Sequence, residues 1–117
     1  MTLLVETITL PENGKIEIKV EFSADIHTSL VEARRLVSRY VTRHIADLLH
    51  GETPTLVWRG DGAFWRVPIA LSAPSKGRIG KVGQIDVNVQ TGKLEISAEL
   101  IEQIEEEAER LAINAAL

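Results

Sequence analysis

The sequence predicts a single α+β domain over residues 1–117. An antiparallel sheet, made of an N-terminal hairpin and a C-terminal meander, packs against two helices in the order ββαββββα. Three observations predict it. Apolar and polar residues alternate through residues 15–22, 64–72 and 85–90, the period of a half-buried strand. Apolar residues recur at 3.6-residue spacing through residues 26–48 and 98–115, the period of an amphipathic helix. Turn residues such as Asn13-Gly14 and Thr91-Gly92 separate the strands. One sheet with two helices on a face is the simplest two-layer solution, and 117 residues suffice for one core.

The first strand is expected from about Leu3 to Leu10. Pro11-Glu12-Asn13-Gly14 turns the chain, because Asn-Gly supplies the positive φ a tight hairpin requires. Ile16, Ile18, Val20 and Phe22 then share the core face of the second strand. A long helix follows, with Ile26, Leu30, Ala33, Val37, Tyr40, Val41, His44 and Leu48 on its apolar side. Ser29 with Glu32 forms a capping box, although Ser23 and Asp25 are alternative caps. The helix is expected to end near His50, with Gly51 in the left-handed position that closes a helix and Pro54 beyond it.

Residues 54–96 read as a meander. Leu56, Val57 and Trp58 lead into the turn Arg59-Gly60-Asp61-Gly62. The next strand, about Phe64 to Ser72, puts Trp65, Val67, Ile69 and Leu71 on one face. Pro68 lacks a ladder donor, which points to an edge strand or a bulged one. A loop from Ala73 to Gly80 precedes Ile85, Val87 and Val89, and Leu94 and Ile96 resume the apolar face after Thr91-Gly92. The last helix starts at about Ala98, capped by Ser97, with Leu100, Ile101, Ile104, Ala108, Leu111 and Ala115 as its stripe.

Composition narrows the functional classes. Hydrophobic residues make up 44% and charged residues 26%, too apolar for a disordered chain. No run of about 18 apolar residues exists, so no membrane span is expected. The opening MTLLVETITL has no basic n-region, and a cytoplasmic location is expected. With no cysteine, disulfides, thiolate metal sites and cysteine nucleophiles are excluded. The net charge of −4 is unevenly spread: residues 98–117 hold six acids and one base, Arg110. The remaining body is near neutral, and an acidic chain repels phosphate backbones, which argues against nucleic acid.

No catalytic, metal or cofactor set emerges. His27, His44 and His50 share no ligand-like spacing on one face. Asp25, His27 and Ser29 contain triad residue types, but residues two apart aim at different points and serve caps and turns. Asp61, Asp86 and Arg66 could serve an enzyme, but no spacing selects them. One stretch could meet an anion: Lys76, Gly77, Arg78, Gly80, Lys81 and Gly83 interleave cations with glycines. It is no P-loop, since a strand rather than a helix follows, and a solvated hairpin loop explains the same residues.

Three features point to interfaces instead. Arg35, Arg39 and Arg43 run down the first helix opposite its apolar side. Glu102, Glu105, Glu106 and Glu109 form an acidic face on the second, which could answer a basic partner or the arginines of a second copy. Trp58, Phe64 and Trp65, three of five aromatics, bracket one turn, and alternation sends Phe64 and Trp65 to opposite faces. The expected function is therefore a non-enzymatic protein-interaction module that self-associates as a homodimer. The alternatives are an antitoxin-like regulator whose acidic C-terminal helix masks a basic partner, and a phosphate- or ligand-binding domain using Gly77–Gly83.

Ile85-Asp86-Val87-Asn88-Val89-Gln90-Thr91-Gly92-Lys93-Leu94 resembles the strand–turn–strand of PepSY-type domains. The preceding helix and Trp65-Arg66-Val67-Pro68-Ile69 fit the same helix-then-hairpin order, over residues 30–96. The whole chain also resembles small uncharacterised bacterial proteins, and that resemblance implies no activity.

Overall fold

The computed structural model describes residues 3–6, 12–15, 21, 23–60 and 62–117. Among them it is an α+β fold: two helices and a six-stranded, mostly antiparallel sheet. The strands are β1 (Leu3–Val5), β2 (Leu49–Gly51), β3 (Thr55–Arg59), β4 (Gly62–Ala73), β5 (Gly77–Asn88) and β6 (Leu94–Glu95). The helices are α1 (Leu30–His44), before β2, and α2 (Ala98–Asn114), after β6. The sheet order is β1-β3-β4-β5-β6, with β2 beside β4. Strands β1 and β3 run parallel, and the other described pairs are antiparallel. The expected alternation of Ile16, Ile18, Val20 and Phe22, and residues 7–10 of the first strand, lie outside the described residues. No helix among the described residues is long and apolar enough to cross a membrane.

The core lies between the helices and one sheet face. Ala33, Val37 and Val41 of α1, Ile104 of α2, and Trp65, Val67, Ile69, Ile85 and Val87 of the sheet are buried in it. Burial of such side chains contributes about 1.5–3 kcal/mol each relative to exposure. Helix α2 starts where the sequence places it, and α1 starts at one of its three expected caps. Ser29 Oγ accepts from Glu32 N–H at 3.1 Å and Ser97 Oγ from Leu100 N–H at 3.1 Å. Ser23 and Asp25 are therefore not the cap, and Ile26 stands before the helix, exposed.

The end of α1 differs from the expectation. The helix stops at His44, where the Val41 carbonyl accepts from both Ile45 and Ala46 N–H. Leu48, expected on the apolar side of the helix, is instead 39% exposed, and Leu49 begins β2, 1% exposed opposite Leu71. Gly51 has no positive φ and does not cap the helix. A Cβ there would meet Ser38 Oγ and Val67 Cγ1 at 3.0 Å and the Arg34 carbonyl at 3.2 Å. Its hydrogen is what lets β2 lie against α1, where Gly51 N–H donates to Ser38 Oγ at 2.9 Å. His44, expected on the packed side, is exposed with its ring 4.6 Å from that of Tyr40.

Pro68 also stands elsewhere than expected. Its strand, β4, is central, with β2 and β3 on one side and β5 on the other. The Pro68 carbonyl accepts from Glu52 N–H at 2.8 Å, so the missing donor faces the break between β2 and β3. The interrupted neighbour makes the proline tolerable in an interior strand. Irregularity is present too: the β4–β5 register shifts at Ile69/Ala70 and at Leu71/Ser72.

Candidate functional site

The expected loop from Ala73 to Gly80 is instead a tight turn and the start of β5, a strand 12 residues long. Gly77 takes a φ of +70° at the turn. Gly80 and Gly83 lie under α2, where a Cβ would come within 3.0 Å of Leu111 Cδ1 and 2.8 Å of Ile104 Cγ1. These two glycines let the helix approach the strand. The interleaved cations are each engaged: Lys76 Nζ donates to the Ala115 carbonyl, Lys81 Nζ to Gln84 Oε1 at 3.2 Å, and Arg78 pairs with Glu52 at 2.9 and 3.0 Å. Hydrogen bonding to Arg78 holds the Glu52 carboxyl below its ordinary range.

The three aromatics do not form one patch. Trp65 is 2% exposed, and its Nε1–H donates to the Thr28 carbonyl at 2.8 Å, pinning the segment before α1. It is core, so of the two neighbouring aromatics Trp65 is not the exposed one. Trp58 is half-buried on the same face, with Nε1–H donating to Gly60 O at 3.0 Å. Phe64 points to the other face, where the Arg59 guanidinium lies 4.3 Å above its ring.

That second face carries a charge cluster. Arg66 stands directly opposite Asp86 and binds it bidentately, Nε to Oδ1 at 2.9 Å and Nη2 to Oδ2 at 3.0 Å. Glu6, just beyond β1, takes the other side of the guanidinium, and Arg59 Nε lies 3.6 Å from Asp86 Oδ2. The hydrogen bonds of Asp86, then Glu6, raise the Arg66 pKa above its ordinary value, and Arg66 holds the Glu6 carboxyl low. Two cations face two carboxylates, so the charges balance. A carboxylate held ionised by an arginine is a weak general base near neutrality. The cluster ties β4 to β5 and to the residue after β1. Asp61 lies outside the described residues.

The helix layer is different in kind. Arg35, Arg39 and Arg43 are all exposed on α1, as are Glu102, Glu105, Glu106 and Glu109 on α2. Arg35 pairs with Glu32. No described carboxylate pairs with Arg39 or Arg43, and no described cation with those four glutamates. Between the helix ends lies a cleft of about 270 Å³, floored by Ile45, Leu71, Ala108 and Ala112 and edged by Asp47, Glu105 and Glu109. Leu48 and Leu117, 39% and 48% exposed, stand at its mouth. Sequence spacing identifies both charged stripes but not this cleft, because Ile45 and Leu48 read as one continuous helix.

Among the described residues no three His, Asp or Glu side chains gather as a metal site. Compared with protein-family models, with curated proteins and with solved structures, the chain matches none.

Proposed function

We propose that this chain is a non-enzymatic protein-interaction module that self-associates through its helix layer. One observation carries the reading: opposite charges are segregated onto two helices that share one exposed layer, and most of those charges have no described partner in their own chain. Isolated surface charges need no explanation, but two single-sign stripes on neighbouring helices are complementary to each other and to a copy of themselves. The apolar cleft between the helices supplies the desolvated centre that such an interface requires. The test is the solution mass by light scattering at micromolar concentration. Twice 12.9 kDa is expected, with dissociation as salt rises.

The acid-edged cleft also supports a second reading, in which α2 receives a basic partner protein in the manner of an antitoxin-like regulator. A chain that is monomeric alone and purifies in a stoichiometric complex with a basic protein favours this reading over the first.

A further inference from the structure

The helix layer carries more than the two stripes, because the sheet fixes where each helix stands along the other. Thr42 Oγ1 bonds the Leu49 carbonyl, while Arg34 and Ser38 bond Gly51, so α1 runs antiparallel to β2. On the other side Leu111 sits over Gly80 and Ile104 over Gly83, so α2 runs antiparallel to β5. Both β2 and β5 are antiparallel to β4. The two helices are therefore parallel to each other.

Their levels follow from the same registers. Gly51 and Gly83 both pair with Ile69, which sets Arg34–Ser38 level with Ile104. Leu49 and Gly80 both pair with Leu71, which sets Thr42 level with Leu111. By a helical rise of about 1.5 Å per residue, Arg35 then stands within about 2 Å of the height of Glu102 and Arg39 within about 3 Å of that of Glu106, while Arg43 is level with Ala112, about 4.5 Å past Glu109.

Two copies meeting face to face are related by a two-fold axis lying in the contact plane. An axis running across the helices lays α1 on the other copy's α1, arginines against arginines, and glutamates against glutamates on α2. An axis running along the helices, midway between them, lays each α1 on the other copy's α2 with no change of level. Of these two operators only the second opposes unlike charges.

We infer that the chain forms a two-fold dimer whose axis runs parallel to both helices over the cleft, pairing Arg35 and Arg39 with Glu102 and Glu106 of the partner subunit. This inference rests on the self-association proposed above. The axis brings the two clefts against each other, so Leu48 and Leu117 from both copies meet at the centre. The four charge pairs form the two flanks and fix the orientation of the two copies.

The chain has no cysteine, so introduced thiols are unique. Arg39→Cys and Glu106→Cys are made singly in the full chain, and each is checked by circular dichroism for unchanged folding. Each is treated with a short bismaleimide, alone and as an equal mixture. The mixture should give a covalent dimer in at least tenfold higher yield than either variant alone. Stronger cross-linking of Arg39→Cys with itself would overturn the inference, because it reports the axis across the helices. A wild-type dimer with no gain in the mixture would overturn the register and leave self-association standing. A wild-type monomer at the same concentration would remove both.

Discussion

Arg66 and Asp86 face each other across β4 and β5, joined by hydrogen bonds of 2.9 and 3.0 Å, with side chains only 15% and 11% exposed. Each is the other's main compensation for leaving water. Arg66→Ala leaves Asp86 half-buried with Arg59 at 3.6 Å as its nearest cation. Removing one member of such a pair should cost about 2–3 kcal/mol. That corresponds to a melting temperature lower by roughly 10 °C for a chain of this size. The double variant Arg66→Leu/Asp86→Leu should lose less than the sum of the two single losses, as measured by thermal denaturation.

Gly83 should tolerate no side chain. A Cβ would stand 2.8 Å from Ile104 Cγ1, a methylene next to the branch point, in a side chain held in the core at 1% exposure. Gly83→Ala should destabilise by about 1–3 kcal/mol, the usual cost of overpacking. Gly83→Ala/Ile104→Ala should lose less than the sum of the two single losses, because alanine at 104 removes the clashing Cγ1. Denaturant midpoints check both. At Gly60, where φ is +62° and nothing lies within 4 Å, Ala should cost about 1–2 kcal/mol from backbone strain alone, and no neighbouring trim should rescue it.

Acid should weaken the fold by a predictable route. Hydrogen bonding to Arg66 lowers the Glu6 pKa from an ordinary 4.5, and Arg78 and Arg110 act alike on Glu52 and Glu107. A carboxyl whose folded pKa is depressed contributes stability that is full above its unfolded pKa. That stability is lost as pH falls through the folded value. The melting temperature should therefore be flat above about pH 5.5 and fall below 4.5. Glu6→Gln should flatten that acid limb while lowering the plateau, as followed by thermal melts across pH 3–7.

The limits of the sequence reading have identifiable physical causes. The start of α2 is legible at Ser97, and that of α1 is narrowed to three residues, of which Ser29 is the one whose side chain satisfies an orphan amide. The end of α1 is not, because Ile45, Leu48 and Leu49 satisfy helical spacing and a turn-then-strand equally well. Pro68 signals an interrupted ladder, but only the structure shows that the interruption lies in the neighbour, between β2 and β3. The Arg66–Asp86 pair is hidden by register. Counting back from the turn pair Ala73–Gly77 places Arg66 opposite residue 84, and the two register shifts along β5 move it to Asp86. The charged stripes are legible as stripes. Their common level depends on which residues β2 and β5 set opposite Ile69 and Leu71, and that is a property of the sheet.

Salt should act on assembly and much less on the fold. The stripe residues are exposed, so their attraction across an interface is screened over a Debye length of about 8 Å near physiological ionic strength. The Arg66–Asp86 pair, 15% and 11% exposed, should feel little of this. Raising sodium chloride from 0.05 to 0.5 M should weaken dimerisation at least tenfold while leaving the monomer's denaturant midpoint nearly unchanged, read by sedimentation and by urea titration on dilute protein.

Charge reversal read by sedimentation velocity tests the central claim most directly. Arg39→Glu alone sets the new carboxylate against Glu106 of the partner subunit, and Glu106→Arg alone opposes two arginines. Each single variant should sediment as a 12.9 kDa monomer at concentrations where the wild type is dimeric. The double variant Arg39→Glu/Glu106→Arg restores both attractions and should regain the dimer. Single variants that remain as dimeric as the wild type, or a double variant no better than the singles, would contradict the account.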